Sequence, residues 1–185
     1  MKNQKGFTLV DQAVTVSIAV TILALSLNRV NNSFNLDSAV YDAADLQSNV
    51  TERYKRLPSF KDVSNASLEG LNLVPKAMMT ASGAKNSFGG AVTFRSLALT
   101  GDTVEHEYLE IKYEDIPKRY CADFVKRLQD RYFRIEVASA FVKSQSFTYS
   151  DEAAVTACSA QSLSTITFTT VHQKLPCTYS VRGCI

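Results

Sequence analysis

The stretch FTLVDQAVTVSIAVTILALSL, Phe7 to Leu27, limits what this 185-residue chain can be. It holds 21 residues and one charge, Asp11. As a helix rising 1.5 Å per residue it covers ~30 Å, the thickness of a bilayer core. The segment therefore reads as a membrane anchor or export signal, and the remaining chain has to build its own core. Lys2 and Lys5 precede the run and only Arg29 closely follows it, an asymmetry that holds the N-terminus in the cytoplasm. Asp11 is the anomaly. A carboxylate at the centre of a membrane helix costs roughly 2.5–3.5 kcal/mol on insertion scales, so it calls for a counter-charge.

Three readings compete. An ordinary secretory signal has a basic start, an apolar middle and small residues before a cut, here Ala24-Leu25-Ser26, but it leaves Asp11 and Gln12 where it is most apolar. A plain single-pass anchor fits the length and gives Asp11 no role beyond an acid tolerated by snorkelling. The third reading uses the acid. The stretch KGFTLVDQAV, a short basic leader ending in Gly6, then Phe7, Thr8, Leu9, Val10 and an acid five residues into the mature chain, resembles the class III signal of type IV pilins and pseudopilins. That resemblance implies cleavage by prepilin peptidase between Gly6 and Phe7 and N-methylation of Phe7. It also implies that the Phe7 amine is the counter-charge of Asp11, on its own chain or on an adjacent subunit. A buried ion pair of this kind sets register, and removing one partner strands the other. Residues 1–6 are then a leader peptide and 7–27 the anchor.

Charge closes some functions. Twenty basic against 18 acidic residues give +2, and without Lys2 and Lys5 the balance is 20 − 2 = 18 against 18. No nucleic-acid partner is expected from such a balance. Cys121, Cys158, Cys177 and Cys184 all lie in the last third, with no CxxC and no histidine cluster among them, so neither a metal site nor a cofactor is expected. An even cysteine count behind an export-type start points to disulfides formed in an oxidising compartment. Three pairings are possible. Cys121–Cys158 with Cys177–Cys184 is the one adopted, because the second closes the short loop CTYSVRGC. No GxSxG, HExxH, GxGxxG or P-loop pattern is present, and Glu105-His106-Glu107 reads as a solvated charge cluster, so no catalytic residue and no enzyme activity are expected.

Behind the anchor, no Gly or Pro interrupts residues 7–57, which predicts one helix of about 50 residues, ~75 Å long. Leu36, Val40, Ala43, Val50, Tyr54 and Leu57 form its apolar stripe, while Asp37, Asp42, Asp45, Asn49, Glu52, Arg53 and Lys55 fall in the polar remainder. Residues 58–185 form the head. Its first third is loop-rich, with short helices expected around Ser67–Leu71 and Pro75–Thr80. AVTFRSLAL and TVEHEYLEIKYED read as strands joined by a turn at Gly101-Asp102. A helix opens at Pro117 with Asp115 as its cap and buries Cys121, Phe124, Val125, Leu128 and Tyr132. RIEVASAFVK and STITFTTVH supply a third and a fourth strand. The fold class is α+β, a long N-terminal helix packed on an antiparallel sheet of about four strands, with a disulfide-stapled C-terminal region.

This β-β-α-β-β order, with GLNLVPKAMMTASGAKNSFGGAVTF, IKYEDIPKRYCADFVKRL and STITFTT, resembles the heads of type IVb pilins, particularly thin-pilus major pilins of conjugative plasmids and enteric relatives. Cys121 and Cys158 match the positions that pair in that family. The resemblance implies a structural subunit, the major pilin of a type IV pilus, with a minor pilin or pseudopilin as the alternative. A membrane-anchored binding module is the other class. The implied partners are prepilin peptidase, the inner-membrane assembly machinery and other copies of the chain in a helical filament. The implied location is the bacterial inner membrane before assembly and the cell surface after it, in attachment, aggregation or mating contact.

Overall fold

The computed structural model describes residues 16–17, 35–57, 59–97 and 107–172. The chain divides into two compact units, Met1–Asn35 and Leu36–Ile185. Of the first, Val16 and Ser17 are helical. The rest of the apolar run lies outside the described residues, and among the described ones no helix is long and apolar enough to cross a membrane. The second unit is α+β, as the sequence predicts.

Helix α1 covers residues 35–54. Leu36, Ala39, Ala43, Leu46, Val50 and Tyr54 are buried at steps of three and four, one face of a 3.6-residue helix. Ala39 and Ala43 let the backbone come close to the sheet, and the Tyr132 hydroxyl reaches the Ala43 carbonyl at 3.5 Å. The helix ends three residues before the predicted Leu57, which is exposed. Pro58 in the sequence bars continuation, since the residue before proline is pushed out of helical backbone. The Tyr54 carbonyl takes the Leu57 N–H at 3.0 Å and a second partner from afar. His172 Nε2 lies 2.8 Å from the Tyr54 carbonyl, and because a carbonyl only accepts, the proton sits on Nε2. Phe60 packs edge-on against the same imidazole at 5.2 Å.

Helix α2, Asn65–Gly70, begins in a reciprocal cap in which the Ser64 and Ser67 side chains each accept from the other's backbone N–H. It buries Leu68, and Asn65 Oδ1 accepts the Phe94 N–H on the open edge of the main sheet. A single 3-10 turn at Lys76–Met78 leads into a small hairpin of β1 (Met79–Thr80) and β2 (Gly83–Ala84) that the sequence reading lacks.

The main sheet has five antiparallel strands in the order β3 (Val92–Leu97), β4 (Tyr108–Pro117), β7 (Leu163–Val171), β5 (Arg134–Val137), β6 (Ala140–Lys143). The last described strand, β7, is central, so the sheet closes only when this part of the chain arrives. Its inner face carries Leu109, Ile111, Tyr113, Ile135, Val137, Ile166 and Phe168, all buried. Its outer face alternates to Thr165 and Thr167 with the pairs Arg95–Glu110 and Arg134–Glu136. The predicted turn at Gly101-Asp102 lies outside the described residues, yet Leu97 opposite Tyr108 puts β3 and β4 in hairpin register.

Three expectations are corrected. RIEVASAFVK is a hairpin, not one strand: Ala138 and Ser139 take φ of 48° and 71°, joining β5 to β6. Asp115 does not cap a helix. It sits at φ 56° in a bulge, after which Ile116 and Pro117 keep pairing with Ser164 and Leu163. Helix α3, Lys118–Leu128, then starts with Pro117 at its cap, no side chain capping it, and the Lys118 N–H donating to the Ser162 carbonyl. Finally, helix α4, Asp151–Ser159, stands between β6 and β7, capped by Ser150 and opened by Asp151 and Glu152.

The Asn86–Gly90 loop holds the bulge. Asn86 Oδ1 accepts from the N–H groups of Phe88 and Gly90, and its Nδ2 donates to the Glu114 carbonyl at 2.7 Å. The Gly90 backbone passes so close that a Cβ there would lie 1.9 Å from the Glu114 oxygen. Gly90→Ala should therefore destabilise the head by at least ~2 kcal/mol, the scale of a forced backbone shift. Gly70→Ala, with nothing within 4 Å of its added carbon, should change stability little. Denaturant midpoints of the two variants test the contrast, and equal midpoints would refute the close approach.

Candidate functional site

Of the signal residues and cysteines singled out in the sequence, the structure describes two. Cys121 in α3 and Cys158 in α4 form a disulfide, Cα–Cα 5.7 Å, across 37 residues. Both are buried, at 0% and 2% exposure, so the bond is shielded from solvent. It ties helix to helix: Cys158 sits on α4, ahead of β7. Lys126 of α3 adds an exposed ion pair to Asp151 of α4 at 2.9 Å. Gly6, Phe7, Asp11, Cys177 and Cys184 lie outside the described residues, and so do Glu105 and His106, while Glu107, expected to be solvated, is buried at 7% exposure. Among the described residues no group of three or more His, Cys, Asp or Glu side chains is placed to hold a metal ion.

The clasp joins α3 to α4 and leaves α1 uncrosslinked. That helix is held by its stripe, by the Tyr132–Ala43 contact and by polar contacts to four further parts of the head. Arg127 of α3 meets Asp37 at 2.5 Å, Asn49 donates to the Leu73 carbonyl at 3.3 Å, His172 reaches Tyr54, and the Ser87 hydroxyl donates to Asp42 Oδ2 at 3.2 Å. Asp42 is the surprise. It belongs to the buried flank of α1, at 9% exposure, rather than to the polar remainder. Burial pushes its pKa up, with the Ser87 hydrogen bond opposing and the Asp45 charge adding. Nearby, the Tyr113 hydroxyl is fully buried beside that of Tyr132. Burial drives its pKa well above that of an ordinary tyrosine, followed by the field of Tyr132, and the Asp42 charge adds a smaller push the same way. Tyr113 and Tyr132 both pack on Phe168, at 5.7 and 4.4 Å, so the polar set is bolted to the aromatic centre of the core.

The helix on its sheet, with the clasp behind it, presents no catalytic constellation among the described residues. It does present a known architecture. The PilS N-terminal family model matches residues 35–171, from the start of the described α1 to the last residue of β7. The chain belongs to the PilS N-terminal family. No curated protein matches the chain in sequence. Two solved structures share the fold of this PilS-family head. The crystal structure of TcpA, a type IV pilin from Vibrio cholerae El Tor biotype, is 19% identical, with a TM-score of 0.55 over 73% of this chain and 98% of that one. The crystal structure of a type IVb pilin from Salmonella typhi is also 19% identical, with a TM-score of 0.56 over 71% and 97%. The PilS-family chain thus has a type IVb-like pilin fold, the resemblance read from its N-terminal signal and head segments.

Signals for the clasp and for Asp42 differ. The cysteines announce themselves by number and position, whereas Asp42 is readable only as an acid three residues after Ala39 and four before Leu46, both stripe members. Its partner Ser87 is 45 residues away, and nothing in the sequence links them.

Peptide mapping without reduction should yield a Cys121–Cys158 pair, and a Cys121→Ala/Cys158→Ala head should lose about 2–5 kcal/mol of stability, the usual range for a small secreted domain. Loss below 1 kcal/mol would show that helix packing alone holds α3 to α4.

Asp42 has a signed pH consequence. A raised folded pKa means that the native state holds the proton more tightly than the unfolded chain does. The group's cost is absent below the ordinary carboxylate value of 3.8, grows as pH rises toward the folded value, and is full above it. Asp42→Asn should leave the melting temperature unchanged near pH 3 and raise it at pH 7. A variant that melts lower than wild type at pH 7 would make the ionised Asp42–Ser87 contact net stabilising.

Proposed function

We propose that this PilS-family chain is a structural subunit, the major pilin, of a type IV pilus. Prepilin peptidase removes residues 1–6 after Gly6, Phe7 becomes the N-methylated first residue, and residues 7–27 hold the subunit in the inner membrane. Assembly machinery then extracts it into an extracellular filament used in attachment, aggregation or mating contact. The observation that carries this reading is positional. A head with the pilin fold begins at residue 35, directly behind an apolar run whose start carries Gly6-Phe7 and Asp11 at pilin spacing.

In this reading the Asp11 carboxylate meets the Phe7 amine of an adjacent subunit, charge against charge in a low-dielectric bundle. Neither group is easily left alone there, since an uncompensated buried ion costs several kcal/mol. Charge then matters more than size. Asp11→Asn and Asp11→Ala should still be cut at Gly6, because the acid lies beyond the cut, while sheared surface filament falls at least ~10-fold, the effect of about 1.4 kcal/mol per contact. Asp11→Glu should assemble at least as well as wild type. The N-terminal residue by mass spectrometry and the ratio of sheared to membrane-bound protein are the readouts. A mature protein starting at Met1 or Leu27 would sink the subunit reading, and equal yield for Asp11→Asn would sink the charge pair.

A further inference from the structure

Strand β7 is central, and the chain leaves it at a crowded place. β4 and β5 flank it on either side, so the residues after Val171 have no open sheet edge beside them. The inner side is taken as well, because His172 meets the Tyr54 carbonyl at 2.8 Å and Phe60 packs on its imidazole. Residues 173–185 are left with solvent or with the outer face of the sheet.

That face changes character where they depart. Its rows Lys112–Thr167–Glu136 and Glu110–Thr169–Arg134 are polar. The end row is apolar: Leu97 stands opposite Tyr108 and Tyr108 opposite Val171, with the Phe133 ring 5.9 Å from that of Tyr108. A row at the rim of a sheet should be wet, yet Tyr108 is 7% exposed and Thr169, one row in, 3%. Long flanking side chains do not account for this. Thr167, between Lys112 and Glu136, has flanks of the same kind and stays half-buried. The end row is covered.

The C-terminal segment has the pattern of a cover. In KLPCTYSVR, Lys174 to Arg182, the residues Leu175, Cys177, Tyr179 and Val181 occupy every second position, the period of an extended chain with one apolar side. Pro176 has no N–H to give, which bars a place inside a ladder but not one laid across it. Crossing from the end row to Thr169 takes two residues of strand, ~7 Å, well within the span of residues 173–185. The other stretch that borders this row, residues 98–106, carries Gly101-Asp102 near its centre, which reads as a turn prolonging the β3–β4 hairpin.

We propose that residues 173–185 fold back over the outer face as a strap, with Tyr179 and Val181 seated on the row Tyr108, Val171 and Phe133. The sheet is then covered on both sides at this end, by α1 within and by the strap without. Lifting the strap turns a polar face into one that offers two aromatic rings.

Hydroxyl-radical footprinting of the full-length chain in detergent, read residue by residue by mass spectrometry, tests this against a chain ending at His172. Loss of the strap should raise the oxidation of Tyr108 and Phe133 several-fold, while exposed Tyr41 and core Tyr132 keep their rates. Tyr179→Ser/Val181→Ser, which keeps the segment and removes its apolar side chains, should have the same effect on Tyr108. It decides the matter where truncation also makes Tyr132 reactive. An unchanged Tyr108 rate in the double substitution overturns the strap. Protection that then survives dilution belongs to residues 98–106, and protection that dilution removes belongs to a second copy of the chain.

Discussion

The head rests on one burial event: the stripe Leu36, Ala39, Ala43, Leu46, Val50 and Tyr54 of α1 entering the inner face of the sheet. The disulfide is elsewhere, between α3 and α4, so no covalent link fixes α1. Each large aliphatic side chain removed from water contributes roughly 1.5–3 kcal/mol, which makes the stripe the dominant attachment. The exposed Arg127–Asp37 pair contributes at most about 1 kcal/mol. The clasp acts one layer back. It stiffens the α3–α4 pair, and α3 supplies Phe124, which together with Phe168, Tyr113 and Tyr132 forms the aromatic platform under α1.

Against that platform the polar contacts are better understood as register than as strength. Apolar burial is non-directional and tolerates a helix sliding by a turn, but Asp42 facing Ser87, Ala43 facing Tyr132 and Tyr54 facing His172 do not. The expense is visible in Asp42, held where its charge is disfavoured. A head selected only for stability would place apolar groups there. Keeping a polar set in a dry core accords with a helix whose rotation and height must be fixed.

What the sequence made legible follows from how local each cause is. The buried face of α3 is set by residues three and four apart and is read in full, while the α1 stripe is read in part: Leu36, Ala43, Val50 and Tyr54 are buried, but Ala39 and Leu46 take the places expected of Val40 and Leu57. The Ala138-Ser139 turn is not, because neither residue is one that normally takes positive φ. Left-handed backbone costs such residues about 1–2 kcal/mol, and here pairing of β5 with β7 on one side and β6 on the other overrides it. Asp115 misleads for a related reason: an acid before Pro117 looks like a helix cap until the strand is seen to pair on to Pro117 with β7, fixed by Asn86 and Gly90 from another loop. Helix α4 had a local signal, Ser150-Asp151-Glu152, and only weak amphipathicity behind it, since it buries the small residues Ala154 and Ala157 beside Cys158. Of the candidate site, the cysteines were legible by type and Asp42 only by position on a wheel, because its meaning depends on a loop 45 residues away.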